Sequence, residues 1–206
     1  MRGLKNTIVA VALLYAAGFP LAASAQMHGA EQPYGSPHEM PDTNANRPAS
    51  RGAAAVAEDL RLKGKCDRAV PILRNIAEGD NAEISQFNLG LCLQDLAKAE
   101  HDSQKAADEM KEGADWILRA ANAGFARAQA AAVNLYLDGS GVAADPIEAK
   151  KWALLYHSNP LRYSITLPDI DVGVSNRLDA AVTGPMRKEA KARAEAWTKT
   201  ESKSDY

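Results

Sequence analysis

The chain has 206 residues, with 24 Lys and Arg against 26 Asp and Glu, 46% apolar residues and only two cysteines. This length allows one domain of ordinary size plus extensions, and the composition is that of a globular protein rather than of a disordered polyanion or a membrane bundle. The net charge of -2 lacks the basic surplus of nucleic-acid-binding proteins, so we expect no nucleic-acid partner.

The first 25 residues have the pattern of a secretory signal peptide. Arg2 and Lys5 precede an apolar run at residues 8–17, and the small residues Ala23-Ser24-Ala25 follow as a cleavage site. A membrane span needs about 18–20 apolar residues, which this run does not provide. We therefore expect cleavage after Ala25, a periplasmic or secreted protein, and no stable membrane insertion.

Residues 26–52 are rich in proline and have hardly any branched aliphatic side chains. Such a segment cannot bury enough apolar surface to offset the entropy of ordering, so the composition predicts a disordered leader. Cleavage after Ala25 would place Gln26-Met27-His28 at the N-terminus, where four nitrogens can meet the planar geometry that Cu(II) or Ni(II) favours. A histidine at the third position often arises by chance, so a solvated leader is the preferred interpretation and metal binding an alternative.

Beyond residue 52, apolar residues recur at intervals of three and four, which predicts an all-α fold. Asp145 and Glu148 form a capping box that predicts a helix at residues 145–156. A second box, from Asp80 to Glu83, predicts the start of a central helix that is apolar almost all round. Further helices are predicted at residues 53–62 and 105–122.

Two stretches of the chain are similar to each other. Gly79 and Gly124 each close a helix, and each is followed by a second helix rich in small residues. The second stretch continues with a glycine-containing turn that leads into another helix. The residues that define the pattern are Gly79, Trp116, Gly124, Tyr136, Gly139, Gly141, Asp145 and Trp152.

This pattern resembles the Sel-one-like repeat family, close kin of the tetratricopeptide repeat. The family pattern is a helix ending in Leu, Gly and Tyr, a Gly-x-Gly-Val loop, an Asp, and a second helix with Lys-Ala and Trp that closes on two alanines and a glycine. The resemblance is specific over residues 115–156 and looser over residues 67–124, where the glycine loop is absent. It implies a short α/α solenoid of two to two and a half helical-hairpin repeats over residues 53–160.

The looser copy also differs in length, with 23 residues from Leu93 to Trp116 against 16 from Tyr136 to Trp152. Seven extra residues correspond to about two helical turns, and we expect one additional turn in each helix of the hairpin. Both tryptophans occupy the same repeat position and are interpreted as core residues.

Residues 161–206 depart from the repeat. An irregular stretch is predicted at residues 161–173, a helix at 175–182 and, after Gly184 and Pro185, a last helix at 186–200. Met186, Ala190, Ala194 and Trp197 form one apolar row on that last helix. Its mixed charge favours a terminal capping helix over a basic helix that binds membranes.

Cys66 and Cys92 are predicted to form a disulfide. An exported chain meets an oxidising compartment, and two cysteines have only each other as intramolecular partners. Each lies 13 residues from Gly79, so an antiparallel helical hairpin places both about 20 Å from the turn. Two free buried thiols are the alternative.

No catalytic motif is found, and we expect no catalytic residue, cofactor or metal ligand in the repeat region. Gly139-Ser-Gly141 begins a match to a dinucleotide fingerprint, but a helix precedes it where the fingerprint requires a strand. His101 and His157 are interpreted as surface or capping residues.

The resemblance implies a non-enzymatic protein-protein interaction module or scaffold that presents a concave surface to a protein or peptide partner. Some cysteine-rich secreted members of the family have been described as β-lactamases. An envelope hydrolase acting on the cell wall or on β-lactams is therefore an alternative hypothesis.

Overall fold

The computed structural model describes residues 49–79 and 81–200, with side chains from residue 52 onward. The predicted signal peptide and residues 26–48 of the predicted leader, including the His28 metal site, lie outside these ranges. The secondary-structure elements of the described region are all α-helices, as the sequence predicts. Its helices are α1 (Ala49–Leu62), α2 (Cys66–Ala77), α3 (Glu83–Ala99), α4 (Ser103–Asn122), α5 (Ala126–Asp138), α6 (Pro146–Ser158), α7 (Pro160–Ser164), α8 (Val172–Ala181) and α9 (Gly184–Glu195).

Each helix from α1 to α5 packs against the next along the chain, and α8 and α9 both return to pack against α6. The contact between α3 and α4 is the most extensive. Gly90 and Gly113 face each other there, and a Cβ atom on Gly90 would lie 2.6 Å from the carbonyl oxygen of Gly113. The two glycines therefore allow an unusually close approach of the two helix backbones.

Two groups of buried side chains form the core. The first lies among α1, α2 and α3 and includes Leu73 and Leu89, both fully buried. The second lies among the helices from α4 onward and includes Ile117, Val133 and Trp152. Alanine supplies many of the buried positions in both groups, which is consistent with closely packed helices.

The turn from α5 to α6 is built as the sequence predicts at three positions. Gly139 ends α5 with φ 71°, and Gly141 has φ 77°, a region that favours glycine. A Cβ atom on Gly141 would collide with the backbone of Met110 in α4. Asp145 caps α6, because its carboxylate accepts hydrogen bonds from two backbone N–H groups of the first turn at 2.9 and 3.1 Å.

Both predicted capping boxes are wrong in detail. The N–H of Asp145 donates to the carbonyl oxygen of Tyr136 at 2.9 Å rather than to Glu148. Glu83 is the first residue of α3. The N-cap residue of that helix is Ala82, whose methyl side chain cannot accept a hydrogen bond. Asp80 itself lies outside the described residues.

The predicted helix boundaries differ from the observed ones at both ends of the chain. α1 begins at Ala49, within the residues assigned to the leader. A short helix, α7, occupies some of the predicted irregular stretch, because Asn159 caps it and Pro160 starts it. α8 begins at Val172 rather than at residue 175, and α9 ends at Glu195 rather than at residue 200.

The additional length of the looser copy is divided unequally. α3 has 17 residues and α4 has 20, whereas α5 and α6 have 13 each. The turn between α3 and α4 is shorter than the glycine turn between α5 and α6. Relative to the aligned Leu93 and Tyr136, α3 gains about one turn and α4 about two, so the expectation of one turn each is wrong.

The disulfide between Cys66 and Cys92 is confirmed. The Cα atoms are 5.0 Å apart, and both side chains are buried. Cys66 is the first residue of α2 and Cys92 lies in α3, so the bond joins two helices that are also connected by the turn near Gly79. A disulfide of this kind is consistent with an oxidising compartment. Among the residues that the structure describes, no helix is both long and apolar enough to cross a membrane.

Candidate functional site

A groove of about 450 Å³ that combines apolar and charged side chains runs along α5. Arg127, Ala130, Ala131 and Asn134 form its floor, since they lie on the same side of α5. The opposite side of α5 is buried against the core through Ala128, Ala132 and Val133. The small alanine side chains leave the space that the groove occupies.

Two different walls flank this floor. Phe87 of α3 forms one wall, and its ring packs edge-on against Phe125 with centroids 5.4 Å apart. The other wall is formed by residues 167–171, which we call the strap, together with Val174 of α8. The strap is an irregular segment between α7 and α8. Most of the wall surface is apolar, because it consists of Phe87, Leu167, Pro168, Ile170 and Val174.

Side chains of α6 and α7 hold the strap in place. The Tyr156 hydroxyl donates a hydrogen bond to the carbonyl oxygen of Pro168. The Asp169 carboxylate contacts His157 Nε2 at 2.8 Å and the Arg162 guanidinium at 3.3 Å. The N–H of Leu167 donates to the Arg162 carbonyl oxygen at 2.9 Å. The position of this wall therefore depends on a few polar contacts rather than on helical hydrogen bonds.

The groove carries charges of both signs. Arg127 is exposed in the first turn of α5, and Asn134 lies two turns further along, about 10 Å away. Asp169 and Asp171 contribute carboxylates from the strap. Hydrogen bonds from the Ile170 N–H and from His157 hold the pKa of Asp169 below its ordinary value. Asp171 is engaged in capping α8, where it accepts from the N–H of Gly173 at 2.8 Å.

The polar side chains that line the groove are an arginine, an asparagine, a tyrosine and two aspartates. Its lining contains no serine, threonine or cysteine. Both cysteines of the chain are bonded to each other, and both ring nitrogens of His157 already have partners. Within residues 49–79 and 81–200, no group of three or more His, Cys, Asp or Glu side chains is arranged to hold a metal ion.

None of the predicted repeat residues lines this groove. Gly139, Gly141 and Asp145 lie together in the turn between α5 and α6, and Tyr136 bonds to that turn through its carbonyl oxygen. Burial raises the pKa of the Tyr136 hydroxyl. Trp152 is 2% exposed and belongs to the core. These residues build the scaffold that positions α5.

The remaining predicted residues have separate positions. Trp116 is partly buried and packs against the core group among α1, α2 and α3, and its indole N–H donates to Glu112 at 3.2 Å. Gly79 lies in the turn after α2. Gly124 follows α4 with φ 84° and borders a second cavity of about 430 Å³ near Asn159 and Trp197.

The predicted site residues do not include the groove residues. The periodicity places Phe87 and Ala130 in helices, but nothing in their spacing distinguishes a residue that lines a groove from one that faces solvent. The strap forms one wall of the groove, and its position depends on contacts with Tyr156 and His157. A signal is nevertheless present at Asn159-Pro160, a capping residue followed by a first-turn proline, which predicts α7.

Comparison with known proteins gives no match: no family model, no curated protein and no solved structure is significantly similar to the chain.

Proposed function

We propose that this is an exported, non-enzymatic helical-repeat protein that binds a protein or peptide partner in the groove along α5. The observation that carries the proposal is the groove itself, an open apolar channel of about 450 Å³ with a cation on its floor and carboxylates on one wall. Apolar surface that is gathered in a concave site is the usual feature of a binding surface.

The repeat architecture belongs to the same proposal. The pairs α1–α2, α3–α4 and α5–α6 are successive helical hairpins, and each packs against its neighbour along the chain. Stacked repeats of this kind create extended concave surfaces to which successive repeats contribute. Phe87 of α3 and Ala131 of α5 contribute to the groove from two first helices. α9 covers α6 and serves as the terminal cap.

The chemistry of the groove indicates the kind of segment it accepts. Apolar side chains on both walls suit apolar side chains of the partner. Arg127 makes no ion pair with any other described residue, and it suits an acidic group on the partner. A peptide segment that combines apolar and acidic residues meets both requirements.

A capture experiment with matched variants tests the proposal. Immobilised wild-type protein is exposed to an extract of the native envelope, beside Ala131→Trp, which fills the groove, and Ala192→Trp, which adds the same side chain to an exposed site on α9. A partner that binds through the groove is captured by the wild type and by Ala192→Trp but not by Ala131→Trp. Equal capture by all three proteins, confirmed with the purified partner, contradicts the proposed site.

A second measurement addresses the hydrolase alternative. Purified protein is incubated with a chromogenic β-lactam, and we expect no turnover above that of the buffer. Turnover that is lost on substitution of a single polar residue would contradict the non-enzymatic assignment.

A further inference from the structure

The second cavity, of about 430 Å³, lies between the end of α6, the start of α7 and the residues that follow α9. Most of its surface is apolar, because Leu155, Pro160, Leu161 and Trp197 contribute to the lining. It shares no lining residue with the groove along α5. Its volume is that of a site for a small molecule, for which about 300–1,000 Å³ is usual.

The residues after α9 are held at this cavity by Asn122, the last residue of α4. The carbonyl oxygen of Asn122 accepts a hydrogen bond from the Thr200 N–H at 2.9 Å, and its side-chain oxygen accepts one from the Trp197 indole N–H at 3.3 Å. Between these two anchors, the stem of Lys199 lies against Gly124, where a Cβ atom would be 3.3 Å from the Lys199 Cδ and Cε atoms. The position of Lys199 at the cavity is therefore fixed by its neighbours.

The charge of the lining is positive. Lys199 makes no ion pair with any other described residue. Among the described residues that line the cavity, none is an aspartate or a glutamate. An unpaired cation beside apolar surface favours a ligand that carries a negative charge.

A buried amide adds donor capacity to the same lining. Gln129 is 1% exposed, and its side-chain oxygen accepts a hydrogen bond from the Asn159 side chain at 2.8 Å, which orients the amide. An amide nitrogen has two hydrogens, and that of Gln129 has one described partner, the Ala121 carbonyl oxygen at 3.4 Å. One N–H group of Gln129 is thus left for a ligand that accepts hydrogen bonds.

We propose that the second cavity binds a small carboxylate with an apolar body, of the size of a medium-chain aliphatic acid. The carboxylate pairs with Lys199, and the apolar body is buried against Leu155, Leu161 and Trp197. A neutral apolar molecule would leave the charge of Lys199 without a partner. This site is separate from the groove and goes beyond the proposed function, because it takes a small molecule rather than a peptide.

Isothermal titration calorimetry of the full chain with octanoate and with octanamide tests the proposal, since the two probes differ in charge and share the same aliphatic chain. We expect the wild type to bind octanoate about threefold more tightly, the size of one exposed ion pair. Lys199→Met keeps an unbranched stem but removes the charge, and it should bind both probes equally. Lys188→Met makes the same change at an exposed lysine outside the cavity and should retain the preference of the wild type.

Two tryptophan variants identify which site is occupied. Ser158→Trp adds a large side chain to the lining of the second cavity and should weaken octanoate binding at least tenfold. Ala131→Trp fills the groove along α5 and should leave the affinity for octanoate unchanged within twofold. In the wild type octanoate should also change the tryptophan fluorescence, and this change should be absent in Trp197→Phe.

The proposal is overturned if the wild type shows no saturable binding of octanoate or binds octanamide equally well. A preference for octanoate that persists in Lys199→Met, or binding that is lost in Ala131→Trp and kept in Ser158→Trp, overturns it as well. None of these measurements involves a protein partner. Failure of the capture experiment would therefore reject the proposed function without affecting the carboxylate site.

Discussion

Gly79 and Gly124 occupy equivalent positions after α2 and α4, the second helices of two successive hairpins, yet their backbones differ. After α4, the N–H of Gly124 donates to the carbonyl oxygen of Ala121, and the N–H of Phe125 donates to that of Ala120, both at 3.0 Å. This pattern is a Schellman motif, in which Gly124 has φ 84°. Gly79 is outside the left-handed region. One glycine is therefore required by its conformation, and the other is not.

This difference leads to a prediction for two matched variants. Gly124→Ala forces an L-residue into the left-handed region and should lower the free energy of unfolding by about 1–2 kcal/mol. Gly79→Ala adds a methyl group that would meet only ordinary van der Waals contact and should be neutral within about 0.5 kcal/mol. Chemical denaturation of both variants measures the values.

Equal effects of the two substitutions would show that the end of α4 is not held by its glycine. A larger loss of stability in Gly79→Ala than in Gly124→Ala would show that the turn after α2, rather than the turn after α4, requires a glycine.

Local sequence signals predict much of the structure at this scale. The helix-ending Gly124, the glycine turn that begins at Gly139 and the N-cap Asp145 are all predicted correctly, because a cap or a glycine turn depends on a few neighbouring residues. The extent to which Trp116 is buried is not predictable in this way, because it depends on which helices lie beside α4: the side chain packs at the edge of the core and its indole N–H reaches the partly exposed Glu112.

The α2–α3 hairpin is the element in which a covalent bond adds to packing. The Cys66–Cys92 bridge closes a loop of about 27 residues, for which the chain-entropy model gives roughly 3.5 kcal/mol. The double variant Cys66→Ala with Cys92→Ala should lose about this amount of stability, and oxidised wild-type protein should show no thiol to an alkylating reagent.

Denaturation of the wild type with and without a reductant provides the control, since it breaks the same bond without changing a side chain. If reduction leaves the denaturation midpoint unchanged, the bridge contributes nothing to the stability of the hairpin. Two labelled thiols in unreduced protein would contradict the bridge itself.

Helices are easier to predict than their boundaries. The apolar periodicity indicates α3, α4, α6 and α9, since each buries one side against a neighbour. The capping box of α6 fails although the boundary there is correct: the N–H of Asp145 donates to the carbonyl oxygen of Tyr136 across the turn, so Glu148 is left for Lys151 and Arg193. The strap is not predictable, because its contacts come from α6 and α7 rather than from its own residues.

In the whole molecule, the groove depends on four separate segments of the chain. Phe87, the floor of α5, Tyr156 of α6 and the strap with Val174 all line it, and they come together only in the folded array. A sequence pattern describes neighbours along the chain, and it contains no information about a cavity bounded by residues so far apart. All-helical structure is therefore predictable here, whereas the site is not.

Docking of α9 on α6 leads to a prediction at the same scale. Ala190 is fully buried, whereas Ala192 on the same helix is exposed. Ala190→Glu should destabilise the protein by more than about 2 kcal/mol, because it buries a charge without a partner, and Ala192→Glu should change the stability by less than about 0.5 kcal/mol. Thermal denaturation of the two variants measures the difference.

Similar melting temperatures for both glutamate variants would show that α9 does not contribute to the stability of the remaining helices. The contact between Trp197 and Trp152, whose ring centroids are 6.4 Å apart, would then add nothing to the stability either.

The bridge between α2 and α3 also determines what a protease can do to this protein. A cut in the turn after Glu78 falls inside the loop that the two sulfur atoms close, so the N-terminal fragment stays attached to the rest. The nicked chain would migrate as one species on a gel without reductant and as two with it. In an environment that contains peptidases, a molecule cut at this turn therefore remains one covalently linked species.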